Sequence, residues 1–92
     1  MVSYEVQWKH SAEHDLHKID RKQIHKIVKA VEDLAENPFP PKSRKIRGAE
    51  SLYRIRIGDY RVIYQVDTET RIVIIYYVRH RKEVYQKLKK VI

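Results

Sequence analysis

The chain has 92 residues, no cysteine, two glycines and a formal net charge of +8 at pH 7. That length supports one domain, residues 1–92, around one modest core; the missing cysteine excludes disulfides and thiolate metal sites, and no apolar run approaches the ~20 residues of a membrane-spanning helix. Residues 1–41 carry six Lys or Arg against seven Asp or Glu, residues 42–92 fourteen against five, so the basic half directs its field at a polyanion, either nucleic acid or an acidic protein segment.

Val2, Tyr4, Val6 and Trp8 alternate with Ser3, Glu5 and Gln7, the pattern of a first strand with one buried face and not the apolar block of a signal peptide. Ser11 is placed to cap a short helix from about Ala12 to Ile19, with Leu16 and Ile19 inward. Asp20-Arg-Lys-Gln23 has the form of a capping box that opens a longer helix. There Ile24, Ile27, Val28, Val31, Leu34 and Ala35 follow the 3.6-residue period until Asn37-Pro38 ends it. Residues 38–51 hold Pro38, Pro40 and Pro41, then Lys-Ser-Arg-Lys-Ile-Arg-Gly, with no hydrophobic period, and predict a basic loop. Three strands are expected at about 52–57, 60–66 and 71–79. Val84, Leu88 and Val91 then suggest a short C-terminal helix with Tyr85 near its start. The expected fold is α+β, in the order β-α-α-β-β-β-α: an antiparallel sheet with the two N-terminal helices packed on one face and a short C-terminal helix.

A turn centred on Gly58-Asp59 sets Arg56 opposite Arg61. Because strand side chains alternate between faces, Tyr53, Ile55, Ile57, Tyr60, Val62, Tyr64 and Val66 make the core side and Arg54, Arg56 and Arg61 share the other. Like charges directly opposite cost ~0.2–1 kcal/mol, a penalty that points to an anion bound there. Pairing Val66 with Ile72 would add Ile74, Tyr76 and Val78 to the core side and set Arg79 beside Arg61, with Val73, Ile75 and Tyr77 also outward; a loop one residue shorter reverses that assignment.

Guanidinium groups donate paired hydrogen bonds to phosphate oxygens and stay charged at any working pH. Tyr77 and Tyr85 could stack on bases; the competing account is a solvated sheet face. His80, between Arg79 and Arg81, is either a general base whose proton affinity its neighbours lower or a surface histidine. His10, His14 and His17 have helical spacings, but no His-Glu-x-x-His pattern or clear third ligand accompanies them, so neither a metal nor another cofactor is expected. No phosphate-binding glycine loop, cysteine nucleophile or Gly-x-Ser-x-Gly occurs, so any catalysis should be largely electrostatic.

Lys45-Ile-Arg-Gly48, Leu52-Tyr-Arg-Ile-Arg-Ile57, Gly58-Asp-Tyr-Arg-Val-Ile-Tyr-Gln-Val66 and Val78-Arg-His-Arg-Lys-Glu-Val-Tyr85 together resemble the RelE/ParE toxin superfamily, most closely its RelE branch. The resemblance implies a small ribosome-dependent endoribonuclease that cuts mRNA in the A site by attack of a ribose 2′-OH on the adjacent phosphate. It also implies silencing by a cognate antitoxin through an acidic, amphipathic segment, in a toxin-antitoxin heterotetramer; the lack of an apolar span and of a signal-peptide block separately leads to the expectation of a cytoplasmic protein with no membrane partner. By position, the family's two basic residues on the second strand are Arg54 and Arg56, its arginine after the turn is Arg61, its last-strand arginine is Arg79 and its C-terminal tyrosine is Tyr85. Arg61 would then neutralise the developing phosphorane, Arg79 assist the leaving oxygen and Tyr85 stack on a base, with Arg44, Lys45, Arg47, Tyr77, Arg81 and Lys82 contacting substrate. The family often has lysine at the two second-strand positions, where arginine cannot readily supply a base. Either Arg54 and Arg56 then act only as phosphate clamps, with His80 or a ribosomal group taking the proton, or the protein cuts slowly. The alternatives are a ParE-like protein that inhibits DNA gyrase by binding, without RNA cleavage, and an RNA-binding module without catalysis.

Overall fold

The computed structural model describes residues 3–82, which run β1 (Glu5–Trp8), α1 (His10–Leu16), α2 (Arg21–Asp33), β2 (Ser43–Lys45), β3 (Leu52–Ile57), β4 (Tyr60–Asp67) and β5 (Ile72–His80). The sheet order is β1-β5-β4-β3-β2. The α+β class stands, with both helices on one sheet face. The expected C-terminal helix, with Tyr85, falls mostly outside the described residues.

The sheet is mixed where an antiparallel one was expected, because β1 lies parallel to β5, Val6 beside Val73 and Trp8 beside Ile75. Alternation marks which face of a strand is buried and says nothing of its direction. The excursion through two helices and three strands lets the last strand return alongside the first. The proline-rich segment also contains β2, antiparallel to β3, where a loop was expected. Its three residues, Ser-Arg-Lys, are too few and too polar for a period to register, and charge is what an edge strand carries to block further pairing.

Helix α2 forms because its apolar residues recur on one stripe: Ile27 and Val31 are buried, and Leu34 just beyond is fully so. With Ala12 of α1 they cover Ile55, Val62, Tyr64, Val66, Val73, Ile75 and Val78. Burying a Leu, Ile or Val side chain contributes about 1.5–3 kcal/mol. Tyr64 is fully buried in this core, and its hydroxyl donates to the Pro38 carbonyl at 2.8 Å. Burial pushes that hydroxyl's pKa above its ordinary value.

Neither expected cap forms. Asp20 precedes α2 without a side-chain cap, although its carbonyl accepts the Gln23 and Ile24 amides at 2.9 and 3.0 Å. Ser11 lies inside the first turn of α1 and donates across to the Tyr76 carbonyl at 2.7 Å.

The β3–β4 hairpin has the expected register, Arg56 opposite Arg61. The β4–β5 pair begins one residue off, with Val66 opposite Val73, so Val73 and Ile75 enter the core in place of Ile74 and Tyr76. An irregularity between Ile63 and Tyr64 leaves Tyr76 as an extra residue on β5, and Arg61 ends up opposite Arg79 as expected.

In the β4–β5 turn, Asp67 accepts the Thr70 and Glu69 amides at 3.1 and 3.0 Å, and these bonds hold its carboxyl below the ordinary range. A depressed carboxyl contributes stability that is present at neutral pH and lost as the pH falls through its folded-state pKa. Asp67→Ala should therefore melt below the parent at neutral pH, with the gap closing in acid; thermal melts across a pH series check this.

Candidate functional site

Strand register builds the outer face of the sheet in rows. One row reads Arg44, Arg54, Ile63, Tyr77 across β2 to β5, and the next reads Arg56, Arg61, Arg79 across β3 to β5. Neighbouring strands lie about 4.8 Å apart, so these rows crowd cations that would otherwise separate.

The face divides into two regions. Ile46 and Ile63 are buried together, with Ala49, Leu52 and Tyr77 packed against them, which fixes the loop after β2 on the sheet. Beside this small apolar patch, Lys42, Arg44, Arg54, Arg56 and Arg61 line a cleft of about 240 Å³. Its lining, among the described residues, includes no carboxylate.

Arg61 is the most deeply set of these, only 9% exposed. Its Nη1 donates to the Tyr60 carbonyl at 3.1 Å and the Gly58 carbonyl at 3.3 Å. Gly58 reaches φ +61 in the turn, a conformation available to glycine at little cost, and so the tight turn itself presents the carbonyl that holds Arg61. Arg44 is braced in the same way, Nη1 donating to the Pro41 and Ser43 carbonyls at 2.9 Å each. Arg56 is exposed at the cleft.

Arg79 is set apart from that lining. Its Nη1 contacts Oδ1 of buried Asp15 at 2.5 Å, and its Cζ lies 5.4 Å from the centre of the Tyr77 ring. The arginine row therefore ends in an internally compensated cation at the cleft's margin.

The other expected site residues are dispersed. His80 pairs with Tyr60, their rings 5.7 Å apart, in a hollow with Gln23, Lys26, Gly58 and Asp59. That hollow is on the helix-covered face: His80 follows Val78 by two residues and so shares its side, away from the arginines. Lys45 and Arg47 line a different hollow with Ile46, Gly48, Ala49 and Glu50. Arg81 and Lys82 are exposed where a helical turn begins, the Arg81 amide donating to the Asp59 carbonyl at 2.9 Å.

Lys42 and Asp15 were missed from sequence. Lys42 precedes a strand that itself went unseen, and Asp15 looks like any polar helix residue until its burial is known. His14 and His17 approach with ring centroids 6.5 Å apart; among the described residues no three His, Cys, Asp or Glu converge as metal ligands. No helix among them is long and apolar enough to cross a membrane.

Electrostatically, the cleft is a set of fork donors, two of them braced by backbone carbonyls, on a wall of one charge sign. It suits an oxyanion with several acceptor oxygens, a phosphodiester above all, and among the described residues its lining offers no carboxylate or imidazole to take a proton.

Comparison with known proteins gives a consistent set. The family described as ParE toxin of type II toxin-antitoxin system, parDE, matches residues 6–85. Toxin RelG of Mycobacterium tuberculosis is 33% identical over 90 residues, covering 94% of this chain and 100% of RelG. Among solved structures, the RelBE2 toxin-antitoxin complex of Mycobacterium tuberculosis aligns with TM-score 0.77 and 31% identity, over 87% of this chain and 100% of that one. The archaeal RelE-RelB complex of Pyrococcus horikoshii aligns with TM-score 0.77 and 26% identity, over 86% and 96%.

Proposed function

The chain belongs to the RelE/ParE toxin superfamily, in its RelE branch, and we propose that it is a ribosome-dependent endoribonuclease that cuts mRNA in the A site. The observation that carries this is the cleft lined by Lys42, Arg44, Arg54, Arg56 and Arg61, with no carboxylate among its described residues, and with Arg79 in register at its margin.

In the reaction, a ribose 2′-oxygen bonds to the adjacent phosphorus and the P–O5′ bond breaks, leaving a 2′,3′-cyclic phosphate and a 5′-hydroxyl. Arg61, already held by backbone carbonyls, neutralises the charge that grows on the phosphorane oxygens. Arg54 and Arg56 clamp the phosphate, while Lys42 and Arg44 take the neighbouring backbone. Arg79 would donate a hydrogen bond to the departing O5′, which takes its proton from water or a ribosomal group. Tyr85 and Tyr77 are the candidates for base stacking, and Arg81 and Lys82 for further backbone contact.

The 2′-proton needs an acceptor. Guanidinium groups do not serve at working pH; of the other described candidates, His80 is on the far side of the sheet and Lys42 is exposed and assigned to the neighbouring backbone, so we assign the acceptor role to a ribosomal group. That division of labour gives a physical reason for ribosome dependence: the protein supplies charge stabilisation, the ribosome supplies alignment and a base.

The same charge supports control by an antitoxin. The aligned RelBE2 and RelE-RelB structures are toxin-antitoxin complexes, and an acidic segment laid over the cleft, with an amphipathic helix on the body of the domain, would silence this chain in the cytoplasm, in a heterotetrameric complex. Such binding should weaken as salt rises.

The test adds purified protein to a reporter mRNA with and without translating ribosomes, and to a gyrase supercoiling reaction. Cuts spaced by codons on ribosomes, none on free RNA and undisturbed supercoiling are expected. Intact mRNA with inhibited supercoiling would favour the gyrase-binding alternative.

A further inference from the structure

We propose that Asp15 is a positioning residue that acts on the reaction through Arg79; the proposal rests on the nuclease function above and deepens it.

Strand β1 ends at Trp8, whose partner is Ile75, so the next stretch of β5 has no strand neighbour on that side. Two side chains of α1 replace it. Ser11 Oγ donates to the Tyr76 carbonyl at 2.7 Å, and Asp15 Oδ2 accepts the Val78 amide at 2.9 Å. The second oxygen of Asp15 remains, and it meets Arg79 Nη1 at 2.5 Å. One carboxylate thus closes the strand edge and fixes a guanidinium of the arginine row.

Capping the edge does not require a charge. Ser11 performs half of that task with a hydroxyl, and an asparagine at position 15 could accept the Val78 amide. A carboxylate only 2% exposed is costly unless a cation compensates it. Here the cation is one that stands directly opposite Arg61 and would otherwise be repelled by it.

The pose of Arg79 depends on this contact. Its Nε is buried without a hydrogen-bond partner among the described residues, so the guanidinium is oriented by Asp15 and the Tyr77 ring, not by a full set of donors satisfied in place. The anchor keeps Arg79 at the cleft's margin, on the leaving-oxygen side, and leaves the scissile phosphate to Arg54, Arg56 and Arg61.

Single-turnover cleavage of mRNA on programmed ribosomes, measured for Asp15→Asn, Arg79→Ala, their double variant and Ser11→Ala, tests this. Asp15→Asn should slow the rate constant about tenfold or more with little change in the concentration dependence. Arg79→Ala should be at least as slow, and the double variant no slower than Arg79→Ala. Ser11→Ala, which loosens the same edge without touching the ion pair, should keep the parent rate within about twofold.

Parent-like cleavage by Asp15→Asn would overturn the proposal. So would an equal slowing by Ser11→Ala, or a slowing by Asp15→Asn that persists when Arg79 is absent. If Asp15→Asn does not fold, Asp15→Glu replaces it: a displaced carboxylate should slow cleavage, and a parent-like rate would refute the positioning role. If the parent makes no cuts, the nuclease function fails separately. Guanidinium ¹⁵N NMR then judges the anchor: slow rotation of Arg79 in the parent and free rotation in Asp15→Asn are expected, and equal rotation would contradict it.

Discussion

Arg61→Ala should lower mRNA cleavage on ribosomes by about a hundredfold or more and leave a cooperatively folded protein. Removing one preorganised donor aimed at a developing oxyanion typically costs 10²–10³ in rate, and Arg61 is the cleft arginine with the least solvent access and two backbone carbonyls on its Nη1. The effect on folding should be small because two terms oppose each other. Losing the hydrogen bonds to Gly58 and Tyr60 costs roughly 1 kcal/mol, while removing a cation from between Arg56 and Arg79 returns roughly 0.2–1 kcal/mol. Arg61→Lys should recover only part of the rate, since an ammonium restores charge without the planar fork. Single-turnover kinetics together with a thermal melt check this; an unfolded Arg61→Ala would mean that the arginine is a structural element of the hairpin first.

The paired replacement Arg54→Ala/Arg56→Ala should weaken binding to single-stranded RNA by more than tenfold at low salt and make the salt dependence shallower. Every phosphate that a cation neutralises adds about 0.7 to the slope of log K against log salt on single strands, so a pair that both engage phosphate should account for about 1.4 of it. Stability should change little, because the replacement relieves the like-charge pairs Arg54–Arg44 and Arg56–Arg61 while giving up the contacts that Arg54 itself makes. Binding isotherms at several salt concentrations give the slope directly. Weaker binding at an unchanged slope would mean that these arginines shape the cleft without touching phosphate.

Much of this is legible in the amino-acid sequence. The Gly58-Asp59 turn flanked by strict alternation determined the Arg56–Arg61 pairing, and with it the arginine face, because register and face are locked together in a two-sided hairpin. Helix α2 was equally plain from its stripe of Ile27, Val31 and Leu34. Three features left no such mark. Strand β2 is stabilised by pairing alone and has no apolar face to announce it, so Lys42 and the position of Arg44 beside Arg54 went with it. The extra residue at Tyr76 changes which β5 side chains enter the core, and an alternation with apolar residues on both faces, as in Ile72–Val78, cannot reveal where a strand slips. Asp15 became visible only through its burial. His80 shows the opposite hazard: its flanking arginines suggested a shared site, yet neighbours in a strand face opposite ways, and the sequence context that made it interesting is what places it on the other side.

The chemistry of the RNA ends made on translating ribosomes tests the central claim most directly. If the guanidinium cleft stabilises attack by the ribose 2′-oxygen, fragments from the parent protein should carry 2′,3′-cyclic phosphate and 5′-hydroxyl ends at codon-spaced positions, and both should fall together in Arg61→Ala. Fragments ending in a 3′-hydroxyl, or cyclic-phosphate ends at undiminished yield in Arg61→Ala, would contradict it.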